Sequence, residues 1–201
     1  MNNFCSILDN CLDKDFIEEL NASILHDRPD SFFIKKDEVN PNVNIWHKAV
    51  HKVWFEKLKD LNQNIFGYEV WYNTLSESTN LGLHVDCDEE YFKQTNEKLR
   101  HPSFTSVLYT GPQNSISGGQ LAINLEKCIE YIEDLTDFTS IHPDDILKDN
   151  ENWLKIEYKY NRLVLCGSGH PHLVLPMQRV SDLKPRTGLT IAAWSHQINI
   201  L

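Results

Sequence analysis

The feature that most constrains this chain is a change of pattern at Gly67. From there to Trp194, short β-branched and aromatic runs follow one another at 68–72, 106–109, 120–123, 153–160, 162–166, 173–175 and 188–194. Runs of this length, separated by Gly, Pro, Asn and Asp, read as strands. A series of seven predicts an all-β sandwich or barrel. Ahead of Gly67 the period is helical. Phe16, Ile17, Leu20, Ile24 and Leu25 recur at three- and four-residue spacing after Asp13, until Asp27-Arg28-Pro29-Asp30 breaks the stripe. A second amphipathic helix is predicted over 45–61, burying Trp46, Val50, Val53, Trp54, Leu58 and Leu61. Helices that precede a sheet-forming segment are expected to pack on one face of the sheet.

The stretch 126–151 interrupts the strands with nine acidic residues and two lysines. Helical spacing of Leu125, Cys128, Ile129, Ile132 and Leu135 predicts a helix-plus-loop insertion there. It reads as a solvated face, with a lid or a surface for a basic substrate as the alternative. No repeat or Gly/Ser linker divides the chain. The expectation is therefore one domain over 1–201, with a helical part at 1–66 and a β core at 67–196.

Charge and cysteine content narrow the function classes. Nineteen basic against 29 acidic side chains give a net charge of −10, and no basic patch stands out. Binding to nucleic acid, which rests on cations meeting phosphates, is not expected. No apolar run approaches the roughly 20 residues of a membrane helix. The first residues lack the basic and apolar regions of a signal peptide. Five cysteines without a CxxC pair form neither a disulfide framework nor a thiolate zinc site. A reducing, cytoplasmic location is the expectation.

The sharpest local feature is His84-Val85-Asp86. On a strand, residues i and i+2 share a face, so an imidazole and a carboxylate stand side by side as two ligands for a divalent metal. Two ligands rarely hold iron, and two histidines with one carboxylate form the facial triad of non-haem Fe(II) oxygenases. The third ligand is sought in Gly167-Ser168-Gly169-His170-Pro171-His172-Leu173-Val174-Leu175-Pro176-Met177. His172 opens an apolar strand there, and His170 is its rival. Arg186 begins a terminal strand that reads as buried, a position where a guanidinium needs an anionic partner. A dicarboxylate co-substrate would supply one. His47 and His51, spaced i, i+4 on the second predicted helix, read as a solvated face, since no Glu stands between them in the metalloprotease pattern. Nothing marks Cys87 as a nucleophile.

These segments resemble the Fe(II)- and 2-oxoglutarate-dependent oxygenases, particularly the prolyl-hydroxylase-like branch. His84-Val85-Asp86 matches the family's HxD, the segment from His172 to Met177 its distal histidine motif, and Arg186 with Leu189, Ile191 and Trp194 its co-substrate strand. Leu108-Tyr109 resembles its tyrosine-containing strand, and Gly118-Gly119-Gln120-Leu121 its Gly-Gly-Glu-Leu segment. The resemblance spans about 68–194. It implies a mainly β fold with flanking helices, a double-stranded β-helix of the jelly-roll or cupin-like kind. The metal ligands are then His84, Asp86 and His172, and the co-substrate residues Arg186, Tyr109, Tyr72 and Thr190, with Asn73 as a further neighbour. Fe(II), 2-oxoglutarate and O2 are the implied cofactors, with ascorbate as an optional reductant. The implied activity hydroxylates a peptide, protein side chain or amino-acid-like molecule, releasing succinate and CO2.

Three departures stand out. His172 and Arg186 lie 14 positions apart, longer than is usual in the family, which leaves Arg179 as a rival to Arg186. The serine of the family's Arg-x-Ser is Gly188 here, so Thr190 or Tyr109 would have to make its hydrogen bond. Gln120 replaces an acid. A cupin-like dioxygenase that does not use 2-oxoglutarate and a non-catalytic jelly-roll binding module are the alternatives.

Overall fold

The computed structural model describes residues 4–26, 31–75, 81–95, 98–111, 116–139, 141–149, 151–179 and 186–198. In chain order its elements are β1 (Cys5–Asp9), α1 (Lys14–His26), β2 (Ser31–Lys35), α2 (Ile45–Val50), β3 (Gly67–Leu75), α3 (Glu89–Thr95), β4 (Phe104–Tyr109), β5 (Ile116–Gly118) and β6 (Leu121–Asn124). There follow α4 (Ile132–Thr139), α5 (Pro143–Lys148), β7 (Trp153–Ile156), β8 (Arg162–Gly167), β9 (His172–Val174), β10 (Met177–Arg179) and β11 (Arg186–Trp194). The break at 27–30 and the connection at 180–185 lie outside the described residues.

A six-stranded sheet runs β1-β8-β4-β11-β3-β2, faced by a three-stranded sheet β7-β6-β9 and a two-stranded ribbon β10-β5. All pairings are antiparallel, and the architecture is the expected jelly roll. Because side chains alternate across a strand, the six-stranded sheet has two distinct faces. Tyr68, Val70, Tyr72, Leu108, Leu163, Leu165, Leu189, Ile191 and Ala193 form one core with α1 and α2. Ile17 and Leu20 of α1 are fully buried there, each contributing roughly 1.5–3 kcal/mol relative to exposure. The opposite face looks toward the smaller sheets. Every residue of β11 is buried, as suits a central strand covered on both sides.

The N-terminal quarter differs from expectation. It contributes two strands as well as helices: β1 and β2 are the outer strands of the large sheet. Their patterns are weak because edge strands leave both faces partly exposed. The second helix is also not uniform. Asn44 caps α2, its Oδ1 accepting from the backbone of Trp46 and His47, both at 3.0 Å. After Val50 the chain widens into a π-helical segment over His51–Lys57, in which Leu58 N donates to Val53 O. Val53 and Trp54 are both fully buried in it, and Trp54 Nε1 donates to Ser106 Oγ at 3.2 Å.

The acidic insertion is helical only from Ile132 onward. Asn124 Oδ1 turns the chain by accepting from Glu126 N and Lys127 N. Ile129 N then donates to Gly169 O, and Glu130 O accepts from Leu99 N. Tertiary backbone bonds thus take the groups that a helix over 125–131 would need. β7 ends at Ile156 rather than reaching Tyr160, whereas β11 begins at Arg186, as expected. No helix among the described residues is long and apolar enough to cross a membrane.

Candidate metal centre

His84 and His172 are fastened to each other through their main chains. His84 N donates to His172 O at 3.0 Å and His172 N to His84 O at 2.9 Å. Asp86 follows two residues after His84. One potential ligand atom from each of the three lies within 4.8 Å of the others. Asp86 Oδ1 is 3.7 Å from His84 Nε2 and 3.7 Å from His172 Nε2, and the two rings are 4.2 Å apart.

The surroundings orient these atoms. His84 Nδ1 lies 2.7 Å from Gly82 O, and His172 Nδ1 lies 2.9 Å from His170 O. A carbonyl only accepts, so each Nδ1 carries the proton and each Nε2 presents a lone pair. Burial, and then the neighbouring His172, lowers the pKa of His84, which favours the neutral form that a metal needs. Thr105 Oγ1 donates to Asp86 Oδ2 at 2.7 Å, leaving Oδ1 facing the histidines.

The three side chains line a cavity of about 850 Å³, including its open mouth. Its walls come from the inner faces of both sheets, with Val107, Leu121, Ile123 and Val174 among them. Arg186 also lines it and is only 4% exposed. Its guanidinium sits 4.8 Å from the Tyr109 ring and 5.4 Å from the Tyr158 ring. Among the described residues no carboxylate pairs with it, and its Nε has no hydrogen-bond partner. The hydroxyls of Tyr109 and Tyr158 are likewise buried and make no well-formed hydrogen bond among the described residues, Tyr109 standing near Arg186 and Tyr158 near Thr187. Burial raises both phenols, Tyr158 to about 12, so both remain protonated donors. A buried cation flanked by unused donors is a receptor for an anion.

No family model and no characterised protein sequence matches the chain. Solved structures do. A Pseudomonas putida prolyl-4-hydroxylase superposes with a TM-score of 0.57 over 98% of this chain and 87% of that one, at 16% identity. A 2OG-Fe(II) oxygenase family oxidoreductase from Burkholderia pseudomallei gives 0.52 over 96% and 85%, at 11% identity. HygX from Streptomyces hygroscopicus, with nickel, 2-oxoglutarate and hygromycin B bound, gives 0.54 over 94% and 81%, at 8% identity. The chain has the fold of the 2-oxoglutarate and Fe(II) oxygenases.

Within that fold the remaining residues singled out in the sequence separate clearly. Thr190 lines the cavity with Arg186. Tyr109 projects from the cavity-side face of β4 and packs on Arg186 without itself lining the cavity. Tyr72 points the other way, into the helix-side core. Its hydroxyl meets Thr110 Oγ1 at 2.9 Å and Asn21 Oδ1 at 3.3 Å, and Asn73, on the opposite face, lines the cavity instead. His170 lines the cavity but stands outside the three-residue cluster; its Nδ1 donates to Lys127 O at 2.9 Å. The backbone of Arg179 belongs to β10, opposite Ile116 of β5.

Gly118 and Gly119 both adopt positive φ, and a Cβ on Gly118 would come within 2.6 Å of Pro176 O. That corner needs glycine to bring β5 against the chain after β9. Sequence reasoning does not single out Thr105 or Tyr158. Thr105 carries no local signal, while Tyr158 falls in a run that reads wholly as strand.

Proposed function

We propose that this chain is an Fe(II)- and 2-oxoglutarate-dependent oxygenase of the cytoplasm, hydroxylating an unactivated C–H of a peptide, protein side chain or amino-acid-like molecule. The observation that carries the reading is one cavity lined both by a two-histidine, one-carboxylate cluster and by a buried guanidinium with no carboxylate partner among the described residues. The donor set fits Fe(II), with positions left for other ligands. The guanidinium fits the far carboxylate of 2-oxoglutarate. When bound, the pair supplies oxidation of a C–H by O2, with release of succinate and CO2.

The protein's own groups have definable tasks. His84 and His172 offer fixed Nε2 lone pairs, and Thr105 holds Asp86 so that Oδ1 faces them. Arg186 neutralises the distal carboxylate, with Thr190 as a further hydrogen-bond donor from the cavity wall and Tyr109 packing behind the guanidinium. The apolar walls exclude water, which strengthens the ionic pair. Likeness to a prolyl-4-hydroxylase supports a peptide-like target. HygX, solved with hygromycin B bound, supports a small polar molecule as the alternative substrate.

The test is anaerobic titration of 2-oxoglutarate into Fe(II)-loaded protein, following the visible charge-transfer band of the chelate. Wild type is expected to show the band, His172→Ala to lose it, and Arg186→Ala to need far more co-substrate. Bound iron without a band refutes the use of 2-oxoglutarate. Failure to bind iron refutes the metal centre.

A further inference from the structure

Cys5 of β1 and Cys166 of β8 are direct partners across an antiparallel ladder. Gly167 N donates to Phe4 O at 2.9 Å, which makes Phe4 and Gly167 a hydrogen-bonded pair and the next pair, Cys5 and Cys166, a non-hydrogen-bonded one. Pairs of that kind bring their Cα atoms to about 4.5 Å, within the span that disulfides bridge. The two sulfurs already lie 3.5 Å apart. Both residues are half-buried, Cys5 on the outer strand of the sheet and Cys166 lining the cavity. Contact with Cys166 lowers the pKa of the Cys5 thiol, which makes Cys5 the better nucleophile of the two.

We propose that Cys5 and Cys166 form a two-thiol redox site that hydrogen peroxide closes into a reversible cross-strand disulfide, tying the N-terminal strand to the cavity wall. The Cys5 thiolate attacks a peroxide oxygen and the O–O bond breaks, giving a sulfenic acid and a hydroxide that is protonated to water. The Cys166 sulfur then attacks the Cys5 sulfur. The S–S bond forms as the S–O bond breaks, and the hydroxyl leaves with the Cys166 proton as a second water. Two thiols are oxidised and one peroxide is reduced. A thiol reductant reverses the bond by exchange.

The position gives the bond two consequences. Cys166 is also the ladder partner of Thr105 on β4, whose hydroxyl holds Asp86. Oxidation therefore acts one residue away from the support of the metal cluster. The bond would also join residues separated by 161 positions. A constraint that long on the unfolded chain raises Tm by on the order of 10 °C.

The experiment treats the reduced full-length protein with equimolar hydrogen peroxide, blocks remaining thiols by alkylation, and maps peptides by mass spectrometry. The expected result is a joined Cys5–Cys166 peptide, loss of two hydrogens from the intact mass, and a higher Tm that reductant abolishes. Cys5→Ala and Cys166→Ala, checked for wild-type circular dichroism when reduced, are each expected to show none of the three. The proposal is overturned if wild type stays reduced, if Cys5 proceeds to sulfinic acid without joining Cys166, or if Cys5→Ala loses the same two hydrogens. The outcome does not depend on metal or co-substrate binding, so it stands or falls apart from the proposed activity.

Discussion

Thr105→Val tests whether the centre is held by its surroundings. Valine keeps the shape and the β-branched preference of β4 and removes only the hydroxyl that donates to Asp86 Oδ2 at 2.7 Å. Hydrogen bonds to an ionised partner contribute about 1.5–3 kcal/mol. The Asp86 side chain is 14% exposed, so little water is at hand to replace the lost donor. At 1.4 kcal/mol per factor of ten, the expected loss of metal affinity is roughly ten- to a hundredfold. Anaerobic competition for Fe(II) against a chelator measures it, with Thr105→Ser as the variant that keeps the donor. If Thr105→Val binds within about twofold of wild type, or Thr105→Ser is equally weak, the orienting role is wrong.

Other substitutions probe different parts of the structure. Arg186→Met removes a buried cation that lacks a carboxylate partner among the described residues, so the co-substrate-free protein should lose no more than about 1 kcal/mol in urea unfolding. Its affinity for 2-oxoglutarate should fall by about a hundredfold or more; a large loss of stability with unchanged affinity would contradict this. Asn161 has φ of +60°, and its side chain accepts from Leu12 N at 2.9 Å and donates to Leu12 O. Asn161→Ala should therefore cost about 2–4 kcal/mol by the same measurement. Asp9 is held well below the usual carboxylate range by hydrogen bonds from Arg162 and then Lys159. A carboxylate depressed in the folded state stabilises above its unfolded pKa of about 3.9, and that contribution fades as pH falls toward the folded value. Asp9→Asn should accordingly be less stable near neutrality, with the difference shrinking below about pH 4 in a series of pH-dependent melts.

What is legible in the sequence is what local pattern controls. His84 and Asp86 stand out by their residue types and spacing, but strand alternation is not what pairs them: His84 makes only an isolated bridge to His172, and Asp86 follows in a loop. His172 stands out from the apolar run it opens. A cation belongs at the surface and is out of place at the start of an apolar strand, which is why Arg186 stands out. Other features depend on distant neighbours. Thr105 matters because the loop carrying Asp86 lies beside β4, and Tyr158 because the chain turns after β7 to bring its ring over Arg186. The helical spacing at 125–131 is overridden by backbone bonds to Leu99 and Gly169. β5 and β10, three residues each, are too short to show a period. Tyr72 and Asn73 are sequence neighbours, yet alternation sends one to each side of the sheet.

The reciprocal main-chain bonds between His84 and His172 bear on how the proposed centre would handle an ion. Many metal sites exist only while occupied, because the ligands come together in the act of binding. Here the two imidazoles are tied to each other through their main chains and aimed by neighbouring carbonyls, contacts that the protein makes by itself. Loading and unloading are thereby separated from folding. A chelator should empty the socket without loosening the barrel, and the stripped protein should accept a fresh ion at the rate of diffusion and desolvation rather than of refolding.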